Sequence, residues 1–226
     1  MAYNIFKSKY LNEKLKSFVF KYTRFGAPTY HYNVDPIQLS FLVNEIDNLD
    51  SISGNILEIG VARGMTTKFL AEHIKRQSMS NTLIYYALDT FNSFNQEDLE
   101  YEVLKRKKKL NDMIAFNYLS FEAWKRNFKE YEFIKPVRCD CSTVDYQRFA
   151  PIKLVFLDVD LYLPTKKALE RIYPHLVSGG TIAVDDCTYD TDGRFDGSFQ
   201  AYEEFVNENN LTLKIVGNRL GIIKKP

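Results

Sequence analysis

The sequence is poor in cysteine, has no excess of either charge and contains no long apolar run. Cys139, Cys141 and Cys187 are the three cysteines. An odd number, with two of them one residue apart, makes no disulfide framework and lacks zinc-ligand spacing. They read as free thiols of a reducing compartment, and the expected location is the cytoplasm. Thirty basic residues against twenty-nine acidic ones leave a formal charge of +1, so no overall field favours nucleic acid or an anionic membrane. No window approaches the roughly 18 apolar residues of a membrane span. The amphipathic, lysine-rich start, MAYNIFKSKYLNEKLKSFVFKY, lacks the uninterrupted apolar stretch of a signal peptide. Internal repeats and low-complexity linkers are missing as well.

What is present fits a globular α/β protein. A chain of 226 residues, 45% hydrophobic and 26% charged, is long enough for one domain, 1–226, with a real core and a modest insertion. Aromatics at 15% read as core and interface filling, with stacking against a planar ligand as the sharper alternative. Apolar residues at helical spacing from Ile5 to Tyr22, then Asp35-Pro36 opening a helix to about Leu49, form a helical N-terminal extension over 1–50. The apolar stripe of the first helix packs on the domain or on a second subunit, which points to a homodimer. Asn55 to Gly60 reads as a buried strand ending in a tight turn, Thr66 to Arg76 as a helix and Thr82 to Leu88 as a second strand, making a βαβ unit. A charged, helix-prone insertion over 92–130 suits a lid. Its run Lys105 to Lys109 is either an anion-binding face or a solvated helix. Strands follow at Pro136–Asp140, Lys153–Asp158 and Thr181–Asp185. A helix spans Leu163 to Leu176 and is stopped by Gly179-Gly180. Phe199–Glu208 is helical, and Leu211–Val216 with Leu220–Lys224 forms a closing antiparallel pair.

Three constellations carry chemistry. In Glu58-Ile-Gly60-Val-Ala62-Arg63-Gly64-Met-Thr66, glycines at a strand-to-helix turn admit a ligand close to the backbone, and the helix N-terminus offers unpaired N–H groups. A dinucleotide turn wants glycine where Ala62 stands. An acidic strand end and a wider turn suit S-adenosylmethionine (SAM), which carries an ammonium, a sulfonium and a ribose but no phosphate. A turn that merely lets strand and helix pack is the plainer reading. Asp89, at the second strand tip with Thr90 after it, can accept both ribose hydroxyls or cap a helix. Asp140 can accept from an adenine amino group, with the Cys141 N–H on a ring nitrogen, or cap a turn. The third constellation is Asp158-Val-Asp160 followed by Asp185-Asp186. These acids end two apolar strands at the carboxyl edge of the sheet, where open α/β sheets bind ligands. Carboxylates converging there repel one another unless a cation neutralises them, and oxygen-only ligands suit Mg²⁺. Helix caps and salt-bridged acids are the alternative.

EIGVARG, LDTFNSF, FLDVDLYLPTKKALERIYPHLVSGG and AVDDC together resemble the macrocin O-methyltransferase type of class I SAM-dependent enzymes, over about Thr29 to the C-terminus. The resemblance implies a Rossmann-like fold: a mostly parallel seven-stranded sheet with helices on both faces. It implies SAM and Mg²⁺ as cofactors and a hydroxylated, sugar-containing small molecule as substrate. By the same resemblance Asp158, Asp185 and Asp186 are the metal ligands, and Asp160 or Asp158 is the general base. Glu58, Gly60, Arg63 and Thr66, with Ala62 and Gly64 between them, surround the amino-acid end of SAM. Asp89 and Thr90 hold the ribose, and Asp140 and Cys141 face the adenine. Methyl transfer then runs in line onto a metal-held hydroxyl, with the insertion closing over the site. Rival readings are a catechol or other phenolic O-methyltransferase and a non-catalytic SAM-binding protein. A dinucleotide-dependent reductase is disfavoured by Ala62. The charged stretch NSFNQEDLEYEVLKRKKKLNDMIAF departs from the short glycine- and proline-containing lid of the family. Tyr30 and His31 precede the domain, and His31 reads as a packing or surface residue, with contact to SAM or substrate as the alternative.

Overall fold

The computed structural model describes residues 2–26, 34–79, 83–113, 115–189 and 195–226; Tyr30 and His31 lie outside them. The chain forms two compact units, Met1–Asn33 and Val34–Pro226. The first holds α1 (Ala2–Tyr22) and a 3-10 turn at Arg24–Gly26. Thr23 ends α1 by donating its hydroxyl to the Val19 carbonyl while accepting the Phe25 N–H. Tyr10, Leu11, Leu15 and Phe18 are exposed along it. No helix among the described residues is long and apolar enough to cross a membrane.

The second unit is a seven-stranded sheet with helices packed on it. Its elements are α2 (Pro36–Asn48), β1 (Asn55–Ile59), α3 (Met65–Arg76), β2 (Tyr85–Asp89), α4 (Gln96–Leu104), α5 (Phe121–Asn127), β3 (Ile134–Arg138), β4 (Ile152–Leu157), α6 (Tyr162–Ile172), β5 (Leu176–Val184), α7 (Gly197–Glu208), β6 (Ile215–Val216) and β7 (Leu220–Lys224). The strand order is β3-β2-β1-β4-β5-β7-β6. The first five in that row pair in parallel, while β7 runs antiparallel to β5 and to β6. Right-handed crossovers from a strand order that reverses at β1 and β4 place helices on both faces. All six residues of β4 are buried, as a central parallel strand requires, including Lys153, whose Nζ donates to the Leu49 carbonyl at 3.0 Å. Ile56, Leu57, Val155, Leu157, Ile182 and Val184 form the centre of the core, each at most 1% exposed.

Two expectations change. Gly179 and Gly180 do not stop a helix; they lie inside β5. The pairing of β4 with β5 moves from Ile152–Leu176 to Leu154–Thr181, so the extra residues bulge. Gly179 at φ +77° supplies the left-handed turn of the bulge. The helix has already ended at Ile172, before a 3-10 turn over Tyr173–His175. Second, the insertion is no continuous helix. α4 ends at Leu104, a 3-10 turn spans Leu110–Met113, and the basic run lies in the bend between them, with Lys107 at φ +62°. Arg106 and Lys108 there are neither solvated nor an anion face, because both pair with Asp196 at 2.6 and 2.8 Å.

Candidate active site

Sheet topology gathers the singled-out residues at one edge. β1 and β4 are neighbours whose crossovers leave in opposite directions, so their carboxyl ends mark the switch point where such sheets bind ligands, with Gly60 and Asp158 at its base. The backbones touch there: a Cβ on Gly60, whose φ is +85°, would stand 1.7 Å from the Asp158 carbonyl oxygen. Only glycine fits. Ala62 takes φ +44°, a rare conformation for a residue with a side chain. At Gly64, φ +85°, an added Cβ would meet the Phe128 ring at 2.4 Å and Trp124 Nε1 at 3.0 Å. Trp124 stacks on Phe128 with centroids 4.0 Å apart, and its Nε1 is buried without a hydrogen-bond partner among the described residues. Arg63 is exposed, and Thr66 is buried in the first turn of α3.

Two acids support this turn from below. Asp89 Oδ2 accepts the N–H groups of Val61 and Ala62 at 2.9 and 3.0 Å, and Oδ1 accepts that of Phe91 at 2.6 Å. Burial raises its pKa and those three N–H groups oppose the rise. Glu58 lies deeper. It is 1% exposed and accepts hydroxyl bonds from Thr67 at 2.5 Å and Tyr85 at 2.6 Å. Burial pushes its carboxyl up to about 7, against the pull of those two hydroxyls. Thr90 turns its hydroxyl to the carbonyls of Asn92 and Ser93. Asp140 Oδ1 accepts the Ser142 N–H at 2.7 Å, and the Cys141 carbonyl accepts the Tyr146 hydroxyl at 3.0 Å. Asp98 of α4, absent from the sequence reading, is buried near Asp140; burial first, then the Asp140 charge, push it up to about 6. A one-residue acid on a charged helix carried no signal.

Across the crevice the acids cluster. Carboxylate oxygens of Asp158, Asp160 and Asp186 all lie within 4.8 Å of one another. Asp160 and Asp186 take left-handed backbone, φ +62° and +57°, which turns their side chains back toward Asp158. Asp185 is held differently. Its Oδ1 accepts from the side-chain amide of Gln38 and, at 2.6 Å, from the Asp186 N–H. Burial first, then neighbouring carboxylates, raise Asp158 and Asp160 well above the usual carboxylate range, and Asp185 to about 6. Two partners escaped the sequence reading. Gln38 is the third residue of α2, where it also accepts the Asp35 N–H at 2.8 Å; the spacing Asp35-Pro-Ile-Gln38 is a capping-box signature that could have flagged it. Arg219, in the turn before β7, donates from Nη2 to Asp186 Oδ1 at 2.8 Å and holds Nε 3.5 Å from Asp185 Oδ1. Nothing in its local sequence marks it. A cavity lined by Ile46, Asp50, Gly54 and Lys153 lies at the other edge, where β1 and β4 begin, and holds none of these residues.

The site at the strand-order reversal is thus floored by a glycine turn and walled by clustered acids. The macrocin-O-methyltransferase (TylF) family model matches residues 37–217. The chain belongs to that family. Its match takes in Gln38, the glycine turn and every clustered acid, and stops just before Arg219. A Streptomyces olivaceus protein, 8-demethyl-8-(2,3-dimethoxy-alpha-L-rhamnosyl)-tetracenomycin-C 4'-O-methyltransferase, is 24% identical over 155 residues, 62% of this chain. The matched stretch spans 56% of that relative's length. Among solved structures, the O-methyltransferase NovP has a TM-score of 0.72 at 17% identity, over 87% of this chain and 83% of its own. The calicheamicin methyltransferase CalS11 has a TM-score of 0.64 at 17% identity, over 93% and 90%. The TylF-family fold here is the Rossmann-like class I methyltransferase fold.

Proposed function

We propose that this chain is a single-domain SAM-dependent O-methyltransferase. Its acceptor is a hydroxyl of a sugar-bearing small molecule, and Mg²⁺ sits at the acidic cluster. The observation that carries the reading is the convergence of Asp158, Asp160 and Asp186 within 4.8 Å beside the glycine turn. Family membership and the rhamnosyl-tetracenomycin relative support the acceptor class. The donor set fits the groups. The oxygen-only, partly buried carboxylates match a hard divalent cation, and the exposed Arg63 with the α3 N-terminus offers donors to an amino-acid carboxylate. Asp158 and Asp186 would hold the cation as expected, with Asp160 in the place expected of Asp185, whose Oδ1 is taken by Gln38 and the Asp186 N–H. A divalent cation there supplies positive charge that lowers the pKa of an acceptor hydroxyl.

This chain's own groups do the rest. The turn from Gly60 to Gly64 and the α3 N-terminus receive the amino-acid end of SAM, with Arg63 at the mouth. Asp89 and Thr90 address the ribose, and Asp140 and Cys141 the adenine. Asp160 or Asp158, both within reach of a hydroxyl held at the cluster, accepts the hydroxyl proton as the methyl group moves. Free thiols at Cys139, Cys141 and Cys187 suit the reducing cytoplasm.

Calorimetric titration of S-adenosylhomocysteine, with and without Mg²⁺, tests this. Binding of the nucleoside in the micromolar range is expected. Asp186→Asn should keep that affinity within about threefold, lose Mg²⁺ binding and lose roughly 100-fold or more in methyl transfer to a rhamnoside acceptor. A wild-type protein that binds no nucleoside overturns the reading.

A further inference from the structure

We propose that Arg219 is a built-in counter-ion of the acidic cluster, competing with the divalent cation for Asp186 and so setting how tightly that cation is held. This rests on the divalent-cation reading above. Asp158, Asp160, Asp185 and Asp186 bring four carboxylates to one crevice, and Arg219 is the cation that reaches them among the described residues. Its guanidinium spans two of the four, with Nη2 2.8 Å from Asp186 Oδ1 and Nε 3.5 Å from Asp185 Oδ1. Nε is otherwise covered and makes no hydrogen bond. A buried donor without an acceptor is costly; charge alone links Nε to Asp185, while Nη2 is hydrogen-bonded to Asp186 Oδ1.

The backbone that carries the side chain is fixed. The Arg219 carbonyl accepts the Cys187 N–H at 2.7 Å and its own N–H donates to the Val216 carbonyl at 3.3 Å. Leu220 beside it is fully buried, and a Cβ on Gly221 would stand 2.6 Å from Cys187 Sγ. The chain just after the Asp185-Asp186 pair is thus stitched to the residue carrying their counter-charge. Asp186 belongs at once to the three-carboxylate group within 4.8 Å and to the Arg219 ion pair. A dication entering that group meets a unit positive charge already on one of its carboxylates. The same charge holds the acids together when no cation is bound. Coulomb repulsion between like charges at such separations survives in a half-buried site, where screening by water is incomplete.

The test is Mg²⁺ titration of wild type, Arg219→Gln and Arg219→Lys by calorimetry, paired with thermal melts in EDTA and in saturating Mg²⁺. Arg219→Gln should bind Mg²⁺ about tenfold more tightly than wild type. It should melt lower than wild type in EDTA and gain more from Mg²⁺. Arg219→Lys keeps the charge and should stay within about threefold of wild type, which separates charge from loss of the side chain. Wild-type binding with equal or weaker binding by Arg219→Gln overturns the counter-ion role and leaves the cation site standing. No Mg²⁺ binding by any of the three removes the cation reading itself, and this inference with it.

Discussion

Asp89 spends both carboxylate oxygens on main-chain N–H groups, two of them in the glycine turn, so it shapes the turn as well as bordering it. An amide in its place turns an NH₂ toward N–H donors. Asp89→Asn should therefore cost about 1–2 kcal/mol in urea unfolding and weaken S-adenosylhomocysteine binding roughly tenfold or more. Glu58 makes a different demand. Its pKa is raised by burial from 4.5 to about 7, so the folded state holds a proton that the unfolded state has released across that interval. Stability from this group is full below about pH 4.5, falls as pH rises toward 7 and is flat above. Melting curves of Glu58→Gln should accordingly show a shallower loss of stability between these limits than wild type. Residue types at the site were readable because strand ends in this fold are marked by acids and glycines. Their partners were not: Gln38 lies 147 residues from Asp185, and no local pattern links them.

At the level of elements, mostly apolar strands declare themselves, because β1, β4 and the Thr181–Val184 half of β5 are buried on both faces. Glycine was the ambiguous letter. Gly179-Gly180 reads as a helix stop until the β4–β5 register shows a bulge, a fact that belongs to two strands and not to one. The insertion differs from its sequence expectation for a related reason: helical composition carries nothing of the ion pairs that hold its bend. Glu102 of α4 accepts the Tyr162 N–H at 2.8 Å and Arg106 Nε at 2.9 Å, while Arg106 and Lys108 grip Asp196 just before α7. α4, α6 and α7 are thereby clasped through one half-buried network. Burial pushes the Asp196 carboxyl up, but Lys108 and Arg106 pull it below the usual range. Asp196→Asn should cost about 1 kcal/mol in chemical denaturation, less in 1 M salt than in 50 mM.

For the whole molecule, the reversal of strand order between β1 and β4 does what no single residue can. It sets a glycine turn and an acid cluster from distant parts of the sequence on facing lips of one crevice. That much was legible in outline, since parallel strands joined by helices leave few topologies. The N-terminal extension was read over 1–50, whereas the two-unit division falls at Asn33 and leaves α2 with the sheet. The aromatic packing over the turn has a practical consequence. Trp124 is the one tryptophan in the chain, and it touches the space beside Gly64 through Phe128. All tryptophan emission therefore comes from a single indole lodged against the Gly60–Gly64 turn, its N–H without a hydrogen-bond partner among the described residues. Adding S-adenosylhomocysteine should shift or quench that emission, and Trp124→Phe should leave nothing to shift. The protein carries its own optical gauge of an occupied turn, and a binding isotherm can be read from it without a label.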